Sequence, residues 1–394
     1  MFFSKAKIHN IEKKVYYKDV YLKYTLLLDY FQPLFLFLPS MIKSEYKVIG
    51  VMSGTSLDGI DLVYAKFEKK AKWHFDILVA ETYNYDNTWR ENLKKLVSYS
   101  HHQLDKTDND YTEYLAHVIN RFIEKNKITE IDAVCSHGHT ALHRPESRLT
   151  YQIGNKPFLA NLIGNVVVCD FRVQDVELGG QGAPLVPIGD KLLFSEYDFC
   201  LNLGGFANIS TDIDNERIAY DICPANIVLN HYMKFLEEEY DDDGIEASKG
   251  NINTFLLESL NGLKFYESTH PKSLGLEWVA SEVFPLIDSF KIDLQDILRT
   301  FVEHIAIQIS KEINKKNNAS VLVSGGGVYN GFLIKRLESL THNKIVIPSK
   351  NIIEFKEALI FAFLGVLKLR NEVNTLKSVT GAIKDHSSGV VYPS

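Results

Sequence analysis

Three glycine-rich turns in this chain have the residue types and flanks that suit phosphate chemistry. The first, Gly54-Thr55-Ser56-Leu57-Asp58-Gly59-Ile60-Asp61, lies between the apolar runs Val48, Ile49, Val51 and Leu62, Val63, Tyr64. β-Branched runs bounded by Gly and Ser read as a hairpin. Small residues at its tip leave successive N–H groups open, a nest for phosphate oxygens. Thr55 and Ser56 add hydroxyl donors, and Asp58 could hold a hydrated cation beside them. An ordinary polar hairpin is the plain alternative. The second turn, Gly204-Gly205 within Phe199 to Ser210, repeats the layout and includes Asn208. In the third, Val321-Leu322-Val323 runs into Ser324-Gly325-Gly326-Gly327 and opens an amphipathic helical pattern at Phe332, Leu333 and Leu337. A strand ending in glycines at a helix start suits an anion or the sugar of a nucleotide.

Carboxylates for acid–base work stand elsewhere. Asp221 ends an apparent strand just before Pro224, which fits the first turn of a helix. It is either a helix cap or a base pointing into a cleft. Glu357 comes early in the apolar helix FKEALIFAFLGVLKLR, where the macrodipole suits it, so structural and functional roles both stand. Arg172 and Asp175 flank the Gly- and Pro-rich crossing loop Gly179 to Pro187, as substrate contacts or as a buried ion pair. His137, His139 and His143 follow the strand Ile131 to Cys135 and invite a metal reading. They have no acidic partner at helix spacing, and hydrogen-bonding groups lining a cleft is the preferred reading.

These residues need a scaffold. At 394 residues the chain exceeds what one core usually supports, so two domains are expected. Hydrophobic content of 45% and charged content of 24% are ordinary for a globular protein. A net charge of −7 argues against nucleic acid, which needs clustered positive charge. Cys135, Cys169, Cys200 and Cys223 form no CxxC pair, so buried thiols in a reducing cytoplasm are expected. Leu26 to Pro39 is apolar but broken by Asp29, Gln32 and Pro33, too short and interrupted to span a bilayer. Residues 1–40 are expected to be an extension outside the fold, with Met41 the working start. Residues 41–195 then form a first lobe and 196–394 a second, with the C-terminal stretch returning over the first. Helices are expected after Asn87, over Tyr111 to Lys127, over Leu294 to Lys315 and over Phe355 to Arg370, among shorter ones.

Taken in order, the segments MSGTSLDGID, SHGHT, LHRP, QIGN, DFRVQDVELGGQGAPLVP, NLGGFANIS, YDICPAN, SGGGVYN, EALIFAFLG and SVTGA resemble the anhydro-N-acetylmuramic acid kinase family over roughly residues 47 to 394. The resemblance implies an α/β fold of the two-lobed actin-like ATPase type, with duplicated ribonuclease H-like mixed sheets and the nucleotide in the cleft between lobes. It implies opening of a 1,6-anhydro amino sugar by water, coupled to transfer of the γ-phosphoryl group of ATP onto the freed oxygen. ATP and Mg²⁺ would be the cofactors. The implied partners are small molecules, with no nucleic acid or membrane, and a homodimer is an open option for assembly. By resemblance the ATP-binding set is Gly54 to Asp61, Gly204, Gly205, Asn208, Gly325, Gly326 and Gly327. Asp221 maps onto the catalytic base and Glu357 onto the substrate-side glutamate, with His137, Thr140, Arg172 and Asp175 as substrate contacts.

Three positions depart from the family pattern. Where the family has Asp-x-Gly-Pro-Gly-Asn, this chain has Asp221-Ile222-Cys223-Pro224-Ala225-Asn226. Gly can take positive φ or admit a close backbone, so its loss predicts an altered loop or sugar fit. His139 stands where Gln is common, adding a group that titrates near neutrality. A simple sugar kinase without ring opening, or a nucleotide-binding regulator without turnover, are the competing readings. Retention of Asp221 and Glu357 speaks against the regulator.

Overall fold

A computed structural model describes residues 42–54 and 57–394. Thr55, Ser56 and the expected extension over residues 1–40 lie outside the described residues. The unit Ser44–Ser394 carries two sheets. The first contains β1 (Glu45–Ser53), β2 (Gly59–Lys69), β3 (Trp73–Asn84), β4 (Ala133–Arg144), β5 (Leu149–Ile153), β6 (Val167–Cys169) and the late β12 (Val390–Tyr392). The second contains β7 (Phe199–Leu203), β8 (Phe206–Ile213), β9 (Glu216–Pro224), β10 (Ser320–Ser324) and β11 (Lys344–Val346).

Their orders are β12-β6-β4-β1-β2-β3, with β5 on β4, and β11-β10-β7-β8-β9. Each sheet starts with a three-strand antiparallel meander, β1-β2-β3 or β7-β8-β9. The first strand of each meander then pairs in parallel with the fourth, β4 or β10, which pairs in parallel with the fifth, β6 or β11. This is one ribonuclease H-like topology used twice, the duplicated arrangement of the actin-like fold. Parallel neighbours need crossover helices. Helices α1 (Asn87–Lys95) and α2 (His101–Lys125) lie between β3 and β4, α4 (Asn226–Met233) and α5 (Leu294–Ile313) between β9 and β10, and α6 (Gly331–Ser339) between β10 and β11. Helix α3 (Pro187–Leu193) instead leads from the first sheet to the second, and α7 (Lys350–Leu369) leads back.

Helix α7 joins the halves. Phe355, Leu359, Phe361, Phe363 and Leu367 pack in one core with Val48, Val63 and Cys135 of the first sheet and with Cys200 and Leu322 of the second. Close approach is possible because β1 carries Gly50, where a Cβ would stand 2.1 Å from the Ala358 carbonyl oxygen and 2.8 Å from the Ala362 Cβ. A polar thread follows the same path. Lys356 Nζ lies 2.7 Å from Asp190 Oδ1 on α3, and Ser210 Oγ on β8 donates to Asp190 Oδ2 at 2.6 Å. Both members of the ion pair are nearly buried, so removing either would strand a charge.

Local differences from the sequence reading have simple causes. Asp86, not Asn87, caps α1, accepting from the Trp89 N–H at 2.8 Å. Strand β4 continues past Cys135 through Arg144 because β5 folds back to pair with it. Asp221 does not end its strand: β9 runs to Pro224, opposite Phe206, and α4 starts only at Asn226. Proline is tolerated there because β9 is an edge strand with no ladder partner for the missing N–H.

Replacing Gly50 with valine should force α7 off β1, costing about 1–3 kcal/mol as an overpacked core substitution does. Urea unfolding measures it, and a midpoint equal to the parent's would show that the contact yields freely.

Candidate active site

The register of the second sheet builds one wall of a cleft. Ser324 on β10 lies opposite Asn202 on β7, Asn202 opposite Asn208 on β8, and Asn208 opposite Asp221 on β9. Directly opposed residues share a face, so four polar side chains form a row across the sheet. All four line a cleft of 1180 Å³ together with Lys272 and Glu357. The predicted Asn208 and Asp221 are therefore neighbours. Asn202 and Ser324 were missed, since a cross-strand row is visible only once strand register is known.

Asp221 is half-buried and held from the open side of β9. Its N–H donates to the Lys272 carbonyl at 3.1 Å, and its Oδ2 accepts from the Leu274 N–H at 2.7 Å. Burial raises its pKa above the usual carboxylate range, while the Leu274 hydrogen bond and the Lys272 charge pull it back. Cys223 and Ala225, at the two lost glycines, are wholly buried in the second sheet's core. Ala225 has φ −131°, so it does not need glycine's left-handed freedom. An altered sugar fit was expected at these positions, yet neither side chain lines the cleft.

Glu357 rises from α7 into the same cleft. It is exposed there, so desolvation acts on it less than in a closed core. Burial raises its pKa; the charge of Asp61 adds to that, and Arg172 and Lys356 oppose it. Asp61 is itself raised, first by burial, although Thr82 Oγ1 donates to its Oδ1 at 2.6 Å. Asp58 and Glu354 add their negative charge. The first turn therefore sits within electrostatic reach of Glu357. Within that turn Leu57 has φ +62°, rare for leucine, and Asp58 is exposed. Ile60 faces the core, so any nucleotide contact there falls to the backbone. Beneath the turn, Ser53 Oγ bonds His139 Nδ1 at 2.9 Å and Tyr85 OH at 2.6 Å, and Tyr85 OH bonds Tyr111 OH at 2.5 Å. Burial lowers the His139 pKa to about 4, so the expected titration near neutrality is absent there.

The histidines separate because β4 bulges at Gly138. With φ +72° and its would-be Cβ 2.5 Å from the Ile153 carbonyl oxygen, that position excludes side chains. His137 then packs on Phe361 at 4.6 Å between ring centroids, while His139 turns to Tyr111 at 6.2 Å. His143 bonds Thr150 Oγ1 at 3.1 Å and is the one of the three that lines the cleft. His137 is buried and accepts from Arg172 Nε at 2.8 Å, so the structure puts it behind Arg172 rather than at the open surface. Thr140 is half-buried and accepts from Gln152 at 3.4 Å. Arg172 also donates to the Gly182 carbonyl at 2.7 Å and feels the charge of Glu357.

Asp175 requires correction as a substrate contact. It is fully buried, and its oxygens accept from the Gly182 N–H and the Thr380 hydroxyl, each at 2.7 Å. It fastens the crossing loop to the C-terminal segment. The remaining glycines edge the second sheet. The Gly204 and Gly205 carbonyls accept from the N–H groups of Asn226 and Ile227 at 3.2 and 3.1 Å, tying the hairpin to the start of α4. Gly325 has φ +86°, and a Cβ there would meet Asn202 Oδ1 at 2.5 Å. Gly326 faces open space and borders both the cleft and a second cavity of 440 Å³ lined by Asn226, Asn230, Tyr240, Tyr329 and Asn330. Gly327 packs against Leu203. Among the described residues no group of three His, Cys, Asp or Glu is arranged to hold a metal ion.

The sequence model of the anhydro-N-acetylmuramic acid kinase family matches residues 46–394. The chain belongs to the anhydro-N-acetylmuramic acid kinase family. It is 34% identical over 379 residues to the anhydro-N-acetylmuramic acid kinase of Mannheimia succiniciproducens, covering 90% of this chain and all of that one. The Sulfurimonas denitrificans enzyme of the same name is 32% identical, over 87% of this chain and 98% of its own. Among solved structures, the activator of 2-hydroxyisocaproyl-CoA dehydratase from Clostridium difficile with bound ADPNP aligns over 82% of this chain and 97% of its own, at 14% identity and a TM-score of 0.42. A Streptomyces griseus glucokinase of the ROK family aligns over 81% and 98%, at 12% and 0.38. By its family the chain is a phosphotransferase that uses ATP, and among its described residues no helix is long and apolar enough to cross a membrane.

Replacing Asp175 with alanine should strand the Gly182 and Thr380 donors and cost about 1–3 kcal/mol for each. The expected result is a lower unfolding midpoint with little change in sugar KM. A large rise in KM at unchanged stability would restore Asp175 to the substrate.

Proposed function

We propose that the enzyme adds water across the bridge of 1,6-anhydro-N-acetylmuramic acid and phosphorylates the freed oxygen, giving N-acetylmuramic acid 6-phosphate and ADP. The observation that carries this reading is Asp221, a cleft-facing carboxylate with one oxygen already anchored and Asn208 beside it. Water attacking the anomeric carbon needs a base within hydrogen-bond reach. As the new carbon–oxygen bond forms and the bridge bond breaks, Asp221 takes the proton from the water. The released oxygen attacks the γ-phosphorus, ADP departs, and Asp221 returns its proton to solvent. Glu357, across the cleft from the polar row, is suited to orient the sugar, with Arg172 and His137 supporting it from behind.

Positioning and charge neutralisation dominate phosphoryl transfer. The proposed triphosphate seat lies between the Gly54–Asp61 turn and the Gly204-Gly205 hairpin. The adenosine fits the 440 Å³ cavity, where exposed Tyr240 and Tyr329 offer aromatic faces and three asparagines offer both donors and acceptors. The residues present suit Mg²⁺, which keeps several waters and needs only one or two carboxylates beside phosphate oxygens. Asp58 and Asp61 are the hard oxygen ligands of the turn, and a cation there would offset the burial and the neighbouring negative charge that raise the Asp61 pKa. Bound Mg²⁺ supplies charge neutralisation at the phosphates. The four cysteines are free and buried, in keeping with a reducing compartment, and the proposed location is the cytoplasm.

Asp221→Asn should leave ATP binding near parental and lower turnover at least about a hundredfold. Turnover in ¹⁸O-labelled water should put one label on the anomeric oxygen of the product. An unlabelled product would replace ring opening with phosphorylation of a simple hydroxyl.

A further inference from the structure

The segment Ser268–Gly275, between a short helical turn and the helix that opens at Leu276, belongs to no strand, yet it covers the outer edge of β9. It meets β9 through Asp221 on two sides. The Lys272 carbonyl takes the Asp221 N–H at 3.1 Å, and the Leu274 N–H gives to Asp221 Oδ2 at 2.7 Å. Asp221 Oδ1 has no hydrogen-bond partner among the described residues, while the carboxylate lines the cleft. The segment is itself anchored, because the Lys272 ammonium lies 4.6 Å from the Phe265 ring centroid and 6.0 Å from that of Tyr220. Tyr220 is fixed in turn, donating to Glu312 Oε2 on α5 at 2.6 Å. Lys272 forms no ion pair among the described residues, so its charge is not cancelled at contact distance.

Resting on the ring-opening reading above, we propose that Ser268–Gly275 is a positioning clamp for the base, which holds Asp221 by Oδ2 and leaves Oδ1 as the oxygen that takes the proton from the attacking water. A carboxylate free to turn would present either oxygen and spend much of its time misaligned, whereas one oxygen fixed by a main-chain N–H aims the other. The same contacts set when the base is available. Charged and titratable groups around this part of the cleft are Lys272 and His270 on the segment, Cys223 on β9, Glu146, Glu277, the paired Asp190 and Lys356, and Glu354 and Glu357 on α7. Of these, Lys272 acts on Asp221. Behind β9, Glu312 and Lys315 face Lys272 with opposite effects.

Burial favours the protonated acid, and the Leu274 N–H and the Lys272 charge favour the carboxylate. Removing either raises the pKa of the base, so the acid limb of the kcat/KM profile moves to higher pH. Leu274→Pro deletes the N–H, and Lys272→Met deletes the charge while keeping an apolar stem against Phe265. Each should move the acid limb upward by at least about half a pH unit, a shift above ordinary scatter between preparations, and Lys272→Arg should restore it. Leu274→Pro should also lower kcat at the pH optimum. Titration of ATP into each variant reports whether the nucleotide site is intact; if Leu274→Pro does not fold, the Lys272 pair alone decides. An acid limb unmoved in Lys272→Met, in an enzyme whose Asp221→Asn variant is inactive, overturns the clamp and leaves the base. An active Asp221→Asn variant overturns the base itself.

Discussion

The contact between the backbone of β1 at Gly50 and helix α7 is the constraint on which the rest of the structure depends. A helix and a sheet normally stand about 10 Å apart, separated by side chains, much as stacked sheets do. Here glycine on one side and Ala358 and Ala362 on the other bring the surfaces much closer. The other faces of α7 remain free to hold the second sheet through Cys200 and Leu322 and to carry Glu357 into the cleft. A single helix thus belongs to both cores. Its charged residues divide the work: Lys356 is spent on Asp190 inside the junction, and the next residue faces the cleft.

The two halves supply different things to the cleft. The first sheet contributes a turn with strain and acidity, seen in Leu57 with positive φ and Asp61 with a raised pKa. A buried chain of hydroxyls and imidazole from Tyr111 to His139 stiffens it from below, and such chains specify one arrangement when every member is paired. The second sheet contributes a polar row fixed by strand register, because Ser324, Asn202, Asn208 and Asp221 lie directly opposite one another on β10, β7, β8 and β9. The edge member of the row lacks a further strand, and an irregular segment substitutes for it. An exposed strand edge is usually a liability; here the irregular segment covers it at Asp221.

What was legible in the sequence was whatever depends on local pattern. The glycine turns, the β-branched runs and the apolar helix over Phe355 to Arg370 each announce themselves within about a dozen residues, the window over which periodicity speaks. The duplicated topology came with the family resemblance that these segments carry. Features that depend on register were not legible. Gly138 looks like one more glycine in SHGHT, yet its left-handed φ sends His137 and His139 to opposite faces, which no spacing rule foretells. Asp175 has the composition of a ligand contact and the environment of a core residue, because Thr380, 205 residues away, closes over it. The strand through Asp221 outran its expected end for a similar reason: proline reads as a break unless the strand is known to lie at an edge.

The loss of both glycines around Pro224 shows how a site can tolerate change in its most diagnostic motif. The bulge in the β8–β9 pairing, between Ala207 and Asn208, sets Cys223 opposite Ala207 and Asp221 opposite Asn208. Consecutive pairs alternate faces, so Cys223 points into the core while Asp221 points into the cleft. Ala225 lies beneath the hairpin, its N–H donating to the Gly205 carbonyl at 2.8 Å, and its methyl group fills core volume that a glycine would leave empty. What the motif must preserve is therefore a face rather than a set of small residues. Cys223 thus answers to the packing of the core, and Asp221 to the cleft that it lines.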